Sequence, residues 1–160
     1  MKLTIEMLDR LNACQECKDW FVASKCKTVA GSCKKAMKEG HHDWANWLVI
    51  KLLNRDDRIR LACYAARLVL HIYEDKFPGD MRPRQAIEKA ERYVENKHTD
   101  VFAESMYAFT AMDAWNAARA SVAARDAKDA KGAWAAHSAE WDIVVEKKII
   151  KYGLKLLEKK

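Results

Sequence analysis

The sequence predicts an all-α protein, a single-domain bundle of about seven or eight helices over residues 1–160. Two observations lead to this fold class. Only 2 prolines and 5 glycines occur, and alanine, leucine and lysine are abundant, so few turns are signalled and helix formers dominate. Apolar residues also recur at helical spacing along most of the chain. A chain of 160 residues is long enough to bury a core.

The segment from Asn54 to Pro78 is predicted to form a central helix that the other helices cover. Asn54 is placed to cap its first turn. Two apolar rows run along it at helical spacing and leave only a narrow polar stripe, so the helix must be covered on most sides. One row is Leu61, Ala65, Leu68 and Ile72, and the other is Ile59, Cys63, Ala66, Leu70 and Tyr73.

Shorter helices are predicted before and after this central helix. Thr4 is expected to cap the first helix, Gly40 to end a helix that contains Cys33, and Asp43 to cap a strongly apolar helix. A Pro-Gly-Asp turn follows the central helix, and a further helix is predicted over roughly Arg84–Glu95, with a proline tolerated near its start.

Residues 1–99 are predicted to form the helical core, and residues 100–160 an alanine-rich helical hairpin packed on it. Residues 103–139 contain 15 alanines, many at steps of three, and small residues at that spacing let two helix backbones approach closely. A bend is expected near residues 125–132, because one unbroken helix would far exceed the usual length of about 11–12 residues. The last segment, Ile143 to Leu157, carries apolar residues for docking. Whether the hairpin packs within one chain or between two stays open.

The net charge of +6 is spread over the chain, with 9 basic against 6 acidic residues in 1–53, 10 against 8 in 54–99, and 10 against 9 in 100–160. A nucleic-acid binder usually concentrates such an excess on one face or tail. One dense run occurs at the C-terminus, where lysines also complement the helix macrodipole, and this interpretation is favoured. The run is Lys147, Lys148, Lys151, Lys155, Lys159 and Lys160.

The sequence favours a cytoplasmic protein that does not enter a membrane. No apolar run reaches the roughly 18 residues that a membrane span needs. The start Met1-Lys2-Leu3 lacks the apolar block of a signal peptide. The 5 cysteines are odd in number, which is typical of reduced thiols in a cytosolic protein.

Four of these cysteines leave a zinc site open as an alternative. Cys14, Cys17, Cys26 and Cys33 could supply four soft ligands in tetrahedral geometry. Structural zinc sites usually pair two closely spaced doublets, however, and only Cys14–Cys17 forms one. Cys17 also shares a helical face with apolar residues, where a small buried side chain belongs. We therefore expect no metal and no cofactor.

No catalytic residues are predicted. The adjacent histidines His41 and His42 precede Asp43, but neighbouring helical residues do not face the same way, and a capping role for Asp43 is favoured. The sequence has no glycine-rich phosphate loop, no nucleophile elbow and no HExxH motif. Specific reasons to expect an enzyme are therefore lacking.

A polar stripe on the central helix continues into the turn after it and forms the predicted partner-binding surface. Its helical members are spaced by 7, 4 and 3 residues, close to whole turns. The favoured interpretation is a solvated edge in which Asp80 and two arginines lock the turn through ion pairs. The functional interpretation is a charged recognition surface, since arginine suits bidentate contacts. The candidate residues are Arg60, Arg67, His71, Glu74, Asp80, Arg82 and Arg84.

The run AARLVLHIYEDKFPGDMRPRQAIEKAERY, residues 65–93, resembles the helical immunity-protein family, an immunity-like domain of phages and bacteria. Family members look like a block AAE-L-V-L-x-I-F/Y-E, then Pro-x-Asp-x-Arg-Pro-Arg, then A-I-E. The segments LNACQECKDWF, HDWANWL and IKYGLKLL look similar too. Arg67 departs from this pattern, because a glutamate is expected at its position. The matching positions are Ala65, Ala66, Leu68, Val69, Leu70, Ile72, Tyr73, Glu74, Pro78, Asp80, Arg82, Pro83, Arg84, Ala86, Ile87 and Glu88.

The resemblance implies a helical binding protein without catalytic residues to carry over. We accordingly expect a non-catalytic interaction or inhibitor protein that neutralises a macromolecular partner. That partner would be a toxin effector or a host defence component, and in a phage the role would be counter-defence of the anti-CRISPR type. The alternative is a basic helical nucleic-acid-binding protein, and a third hypothesis is a metal-dependent enzyme using Cys and His ligands. The oligomeric state stays open.

Overall fold

The computed structural model describes residues 1–96 and 133–159, and within these residues it contains seven helices and no strand. The all-α class is thereby confirmed. Of the predicted hairpin, the part before Ala133 lies outside the described residues, and the rest is a single long helix. The helices are α1 Ile5–Arg10, α2 Gln15–Ser24, α3 Val29–Lys38, α4 His42–Leu52, α5 Arg55–Lys76, α6 Arg82–Asn96 and α7 Ala133–Glu158.

The chain divides into two compact units. The first consists of Met1–Leu53 together with Glu146–Lys160, and the second of Asn54–Val145. Their charges differ, as counted from the sequence. The first unit has 15 basic and 8 acidic residues, a net charge of +7, and the second has 14 and 15, a net charge of −1. The whole positive excess of the chain therefore belongs to the first unit.

Side-chain oxygen atoms cap three of the described helices, and the caps at Thr4 and Asn54 are the predicted ones. Thr4 Oγ1 accepts a hydrogen bond from Met7 N at the start of α1. Asn54 Oδ1 accepts one from Asp57 N at the start of α5, 2.8 Å away, as the sequence predicts. Thr28 caps α3 through Gly31 N in the same manner. Each cap pairs a backbone N–H that the helix itself leaves unpaired.

The connection between α3 and α4 confirms one prediction and corrects another. Gly40 has a φ of +90° just after α3, and His41 N donates back to Ala36 O, which is the closing hydrogen bond of a Schellman motif. The prediction that Asp43 caps α4 is wrong, because α4 begins at His42 with His41 at the N-cap. The ring of His41 lies flat on Trp44, with centroids 3.9 Å apart, and this stack accompanies the earlier helix start.

The first unit buries one apolar face of each of its main helices. Cys17 and Phe21 of α2 are buried, as the sequence predicts. α3 packs against α4, and α7 contributes an apolar face of its own. The most deeply buried of these side chains are Leu8, Val29, Cys33, Ala36, Ala45, Val49 and Ile150.

The second unit is centred on the packing of α5 against α6. One of the two predicted rows of α5 forms this core, although Tyr73 is only half-buried. The other row is partly wrong. Leu61 and Ala65 are buried, but Leu68 is only half-buried and Val69 replaces it. At 3.6 residues per turn, Leu68 borders the polar stripe and Val69 lies opposite it. The core side chains are Ile59, Cys63, Ala66, Leu70, Ile87, Ala90, Tyr93 and Val94.

Candidate functional site at the turn between α5 and α6

The predicted polar stripe joins α5 to α6 through two bidentate ion pairs. Arg84 of α6 donates from Nε and Nη2 to the two carboxylate oxygens of Glu74 on α5, each over 2.7 Å. About two helical turns earlier on α5, Arg67 donates to Glu91 of α6 from Nε over 2.6 Å, and from Nη2 as well. All four side chains are a quarter to two-fifths exposed. These residues hold the two helices in register.

The two remaining helical members of the stripe are Arg60 and His71. Arg60 pairs with Asp57 one turn earlier on the same helix, over 3.2 Å. His71 is exposed on α5, near enough to Glu74 to act on its charge. The structure thus distributes six of the seven candidate residues over three places: the local pair at the start of α5, the α5–α6 bridges, and the turn. His71 lies on α5 between the two bridging residues Arg67 and Glu74.

Asp80 organises the turn. Its Oδ1 accepts hydrogen bonds from Arg82 N and Arg82 Nε, over 3.1 and 2.8 Å. Its Oδ2 accepts from Arg82 Nη2 over 2.6 Å and from Tyr73 Oη over 2.7 Å. Asp80 N donates to Phe77 O, and Gly79 takes the positive φ of 104° that this tight reversal requires. One carboxylate therefore fixes the turn to both flanking helices.

The hydrogen bonds around these carboxylates change their acidity. The donors Arg82 and Tyr73 hold the pKa of Asp80 well below its usual range. The same contacts raise the pKa of Arg82 and the pKa of Tyr73. Arg84 similarly lowers the pKa of Glu74. The charged forms of Asp80, Glu74 and Arg82 are stabilised and Tyr73 stays neutral, so at neutral pH these groups keep their protonation states and none is suited to proton transfer there.

Two large apolar side chains and an arginine project from this fixed turn. Phe77 is 45% exposed and Met81 is 46% exposed. The side chain of Arg82 is 85% exposed, although both of its bonds to Asp80 are made. Phe77 leans on Tyr73, with ring centroids 5.0 Å apart. We call Phe77, Met81 and Arg82 the turn tip.

Sequence reasoning found the arginine of the turn tip but missed its apolar members. The available signal was an aromatic residue and a methionine that directly flank a Pro-Gly-Asp turn. A turn of that kind is exposed because its backbone needs water as a partner. Large apolar residues within it are therefore exposed as well.

The cysteines do not form a cluster in the described residues. Cys17, Cys33 and Cys63 are buried, and burial raises the pKa of Cys33 and the pKa of Cys63 to about 12. Cys14 is exposed at the start of α2, where its Sγ accepts from Cys17 N over 3.4 Å. Across residues 1–96 and 133–159, no three His, Cys, Asp or Glu side chains come together in a way that could hold a metal ion.

A small cavity lies in the first unit, lined by apolar side chains that include Leu8, Phe21 and Trp44. Its volume of about 20 Å³ has room for about one water molecule. Sites for small organic ligands usually measure about 300–1,000 Å³. This cavity is therefore a packing defect of the core and not a ligand site.

Among the described helices, none combines the length and the apolar character that crossing a membrane requires. Comparisons of the chain with protein-family models, with curated proteins and with solved structures found no match. The resemblance of residues 65–93 to the immunity-protein family thus stays a prediction from those residues.

Proposed function

We propose that this protein is a non-catalytic binding protein that docks onto a protein partner through the turn tip. The observation that supports this function is the exposure of Phe77 and Met81 beside an arginine whose position Asp80 fixes. Aromatic, methionine and arginine side chains are enriched at the centres of protein interfaces, where a few of them supply most of the binding energy.

The rigidity of the turn supports the same function. Binding costs free energy for every side chain and loop that must be ordered. Here the turn is already ordered by four hydrogen bonds to Asp80, and the helices on either side are joined by the Arg84–Glu74 and Arg67–Glu91 bridges. Little additional ordering is needed when a partner arrives.

The charges around the turn tip favour a protein over a nucleic acid as its partner. Each of Arg67, Arg82 and Arg84 is matched by a carboxylate, and the second unit as a whole has a net charge of −1. A surface of that kind does not attract a polyanion. It does suit the mixed polar rim of a protein interface around an apolar centre.

The resemblance to the immunity-protein family suggests the kind of partner. It supports a toxin effector or a component of a host defence system, neutralised by the bound protein. In a phage this role would be counter-defence, for example as an anti-CRISPR-type inhibitor. In this proposal Arg82 contacts the partner, while Asp80, Glu74, Arg67 and Arg84 are positioning residues.

The test uses affinity capture from host cells, followed by titration of the purified captured protein against defined variants. Met81→Ser and Phe77→Ser remove apolar contact area from the turn tip, and Val22→Ser removes it from α2, where Val22 is 63% exposed. We expect either turn-tip variant to weaken binding about tenfold or more, as loss of a hot-spot residue does, and Val22→Ser to leave it unchanged. Equal affinity of all three folded variants would overturn the proposal.

A further inference from the structure

Five lysines occupy one exposed side of α7 and its end. Counting about 100° per residue, they lie within a sector of roughly 120°, and they extend over about 18 Å along the axis. Glu158 shares this side. The opposite side is buried in the first unit through residues such as Ile149, Ile150 and Leu154. We call the five the lysine face: Lys147, Lys148, Lys151, Lys155 and Lys159.

The helix macrodipole accounts for only part of this arrangement. A cation is stabilised by the dipole within the last turn of a helix, and the effect falls off beyond that turn. Lys155 lies in the last turn of α7. Lys147, Lys148 and Lys151 lie about two to three turns before the end, so the dipole gives no reason for them.

The lysine face also lies in a segment of high net positive charge. Residues 146–160 contain six lysines and two glutamates, a net charge of +4 out of +6 for the whole sequence. One of the two glutamates, Glu146, lies 4.0 Å from His42 Nδ1. Within the part of the chain that the structure describes, no carboxylate forms an ion pair with any of the five lysines. The positive charge of these five lysines is therefore not neutralised by the described residues and can act on a partner.

From this geometry we infer that the lysine face binds the phosphate backbone of double-stranded nucleic acid without regard to sequence. A row of cations over about 18 Å spans about five base pairs at 3.4 Å each. Lysine meets phosphate as a point charge, whereas base recognition uses arginine, asparagine or glutamine, and the face has none of these. It also lacks the exposed aromatic rings on which single-stranded bases stack.

The apolar side of α7 argues against insertion of this helix into a membrane interface. A helix that lies in a membrane interface inserts its apolar side among the lipids. In α7 that side is already buried, with Ile150 fully inaccessible and Leu156 4% exposed. The lysine face is thus left with a purely electrostatic partner. The lysine face belongs to the first unit, whereas the turn tip belongs to the second.

The test measures fluorescence anisotropy of two 20-base-pair DNA duplexes of unrelated sequence. The unmodified protein should bind both with equal affinity, and the logarithm of the binding constant should fall with the logarithm of salt concentration with a slope of about −3.5 to −4.5 for four or five phosphates. Lys147→Gln/Lys151→Gln/Lys155→Gln should reduce the slope by about 3. Lys27→Gln/Lys34→Gln/Lys38→Gln, the matched control from exposed lysines of the same unit, should change it little.

Three results would overturn the inference: no binding at low salt, an equal loss in the two triple variants, or equally tight binding to polyglutamate of the same charge. Circular dichroism establishes that the variants are folded. Met81→Ser should leave the anisotropy curves unchanged, so that failure of this inference and failure of the proposed protein-binding function are seen separately.

Discussion

Tyr73 Oη donates a hydrogen bond to Asp80 Oδ2 over 2.7 Å, and this bond joins the last turn of α5 to the residue that fixes the turn after it. The same ring supports Phe77, which is one of the exposed residues of the turn tip. A single tyrosine therefore links the framework of the turn to the surface that we propose for binding.

Tyr73→Phe should lower the free energy of unfolding, because the ring is kept and one charge-assisted hydrogen bond to Asp80 is lost. Urea denaturation followed by circular dichroism measures the change. The effect should shrink when Asp80→Asn is already present, since the two residues then no longer interact. Additive effects of the two substitutions would contradict the bond.

Asp80→Asn should make the stability less dependent on pH in acid. The pKa of Asp80 in the folded protein lies below the value of about 3.9 for an unfolded chain. Its carboxylate therefore stabilises the fold fully above about pH 4 and loses this contribution as the pH falls further, through the folded pKa. The difference in unfolding free energy between the two proteins should shrink as the pH falls from about 5 to about 2.5. A constant difference would contradict the prediction. Part of the pH dependence of stability remains in the variant, because Arg84 lowers the pKa of Glu74 as well.

Ile87→Ala should cost about 2–5 kcal/mol of unfolding free energy, as removal of a fully buried aliphatic side chain does. Ile87 is 0% exposed in the core between α5 and α6. Leu68→Ala is the matched comparison, because Leu68 is half-buried on α5. Its loss should be clearly smaller than that of Ile87→Ala in the same urea titration. The reverse order would show that Leu68 is a core residue after all.

Gly40→Ala should destabilise the protein by about 1–2 kcal/mol, the cost of placing a side chain at a positive φ. Space is not the reason, since a methyl group at Gly40 would meet no atom within 4 Å. Gly40→Asn should cost less, because asparagine tolerates this backbone conformation better. Thermal or urea unfolding of the two variants checks the order. An equal cost for both would assign the effect to something other than the backbone.

The five cysteines should differ in their reaction with a thiol reagent such as Ellman's reagent. Cys14 is exposed and should react quickly. Cys33 and Cys63 are buried with pKa values of about 12, so at pH 8 only about one thiol in ten thousand is ionised, and they should stay protected in the native protein. Cys14→Ser should remove the fast phase, and guanidinium should release all five thiols. A fast phase that persists in Cys14→Ser would contradict this assignment.

Local sequence signals predicted the ends of the helices more accurately than the tertiary contacts of the helices. The caps at Thr4 and Asn54 and the stop at Gly40 depend on nearby residues, and the structure contains all three. The start of α4 was predicted too late, and a tertiary contact accompanies the difference, since the ring of His41 meets Trp20 of α2 as well as Trp44. Val69 is buried where Leu68 was predicted to be, because the side of α5 that is covered depends on the helices packed against it.

The candidate site was predictable in composition but not in its pairing. Sequence spacing placed Arg67 and Glu74 on one stripe of α5, yet their partners Glu91 and Arg84 come from α6 and depend on the register of the two helices. The favoured interpretation, a turn locked by Asp80 and two arginines, agrees with the contacts of Arg82 but not with those of Arg84, which pairs with Glu74 instead. The exposed Phe77 and Met81 were missed, because an apolar side chain in a sequence is ordinarily assigned to the core.

The composition of the first unit has a consequence during synthesis. Met1–Leu53 emerge from the ribosome before the second unit, whereas Glu146–Lys160, which belong to the same unit as Met1–Leu53, are translated after it. At about 5–20 residues per second, roughly 5–20 s separate the two events. During that interval the helices of Met1–Leu53 expose apolar surface that Glu146–Lys160 later cover, and a chaperone would bind this surface then. The second unit, Asn54–Val145, is one continuous segment, so its synthesis is complete before that of the first unit.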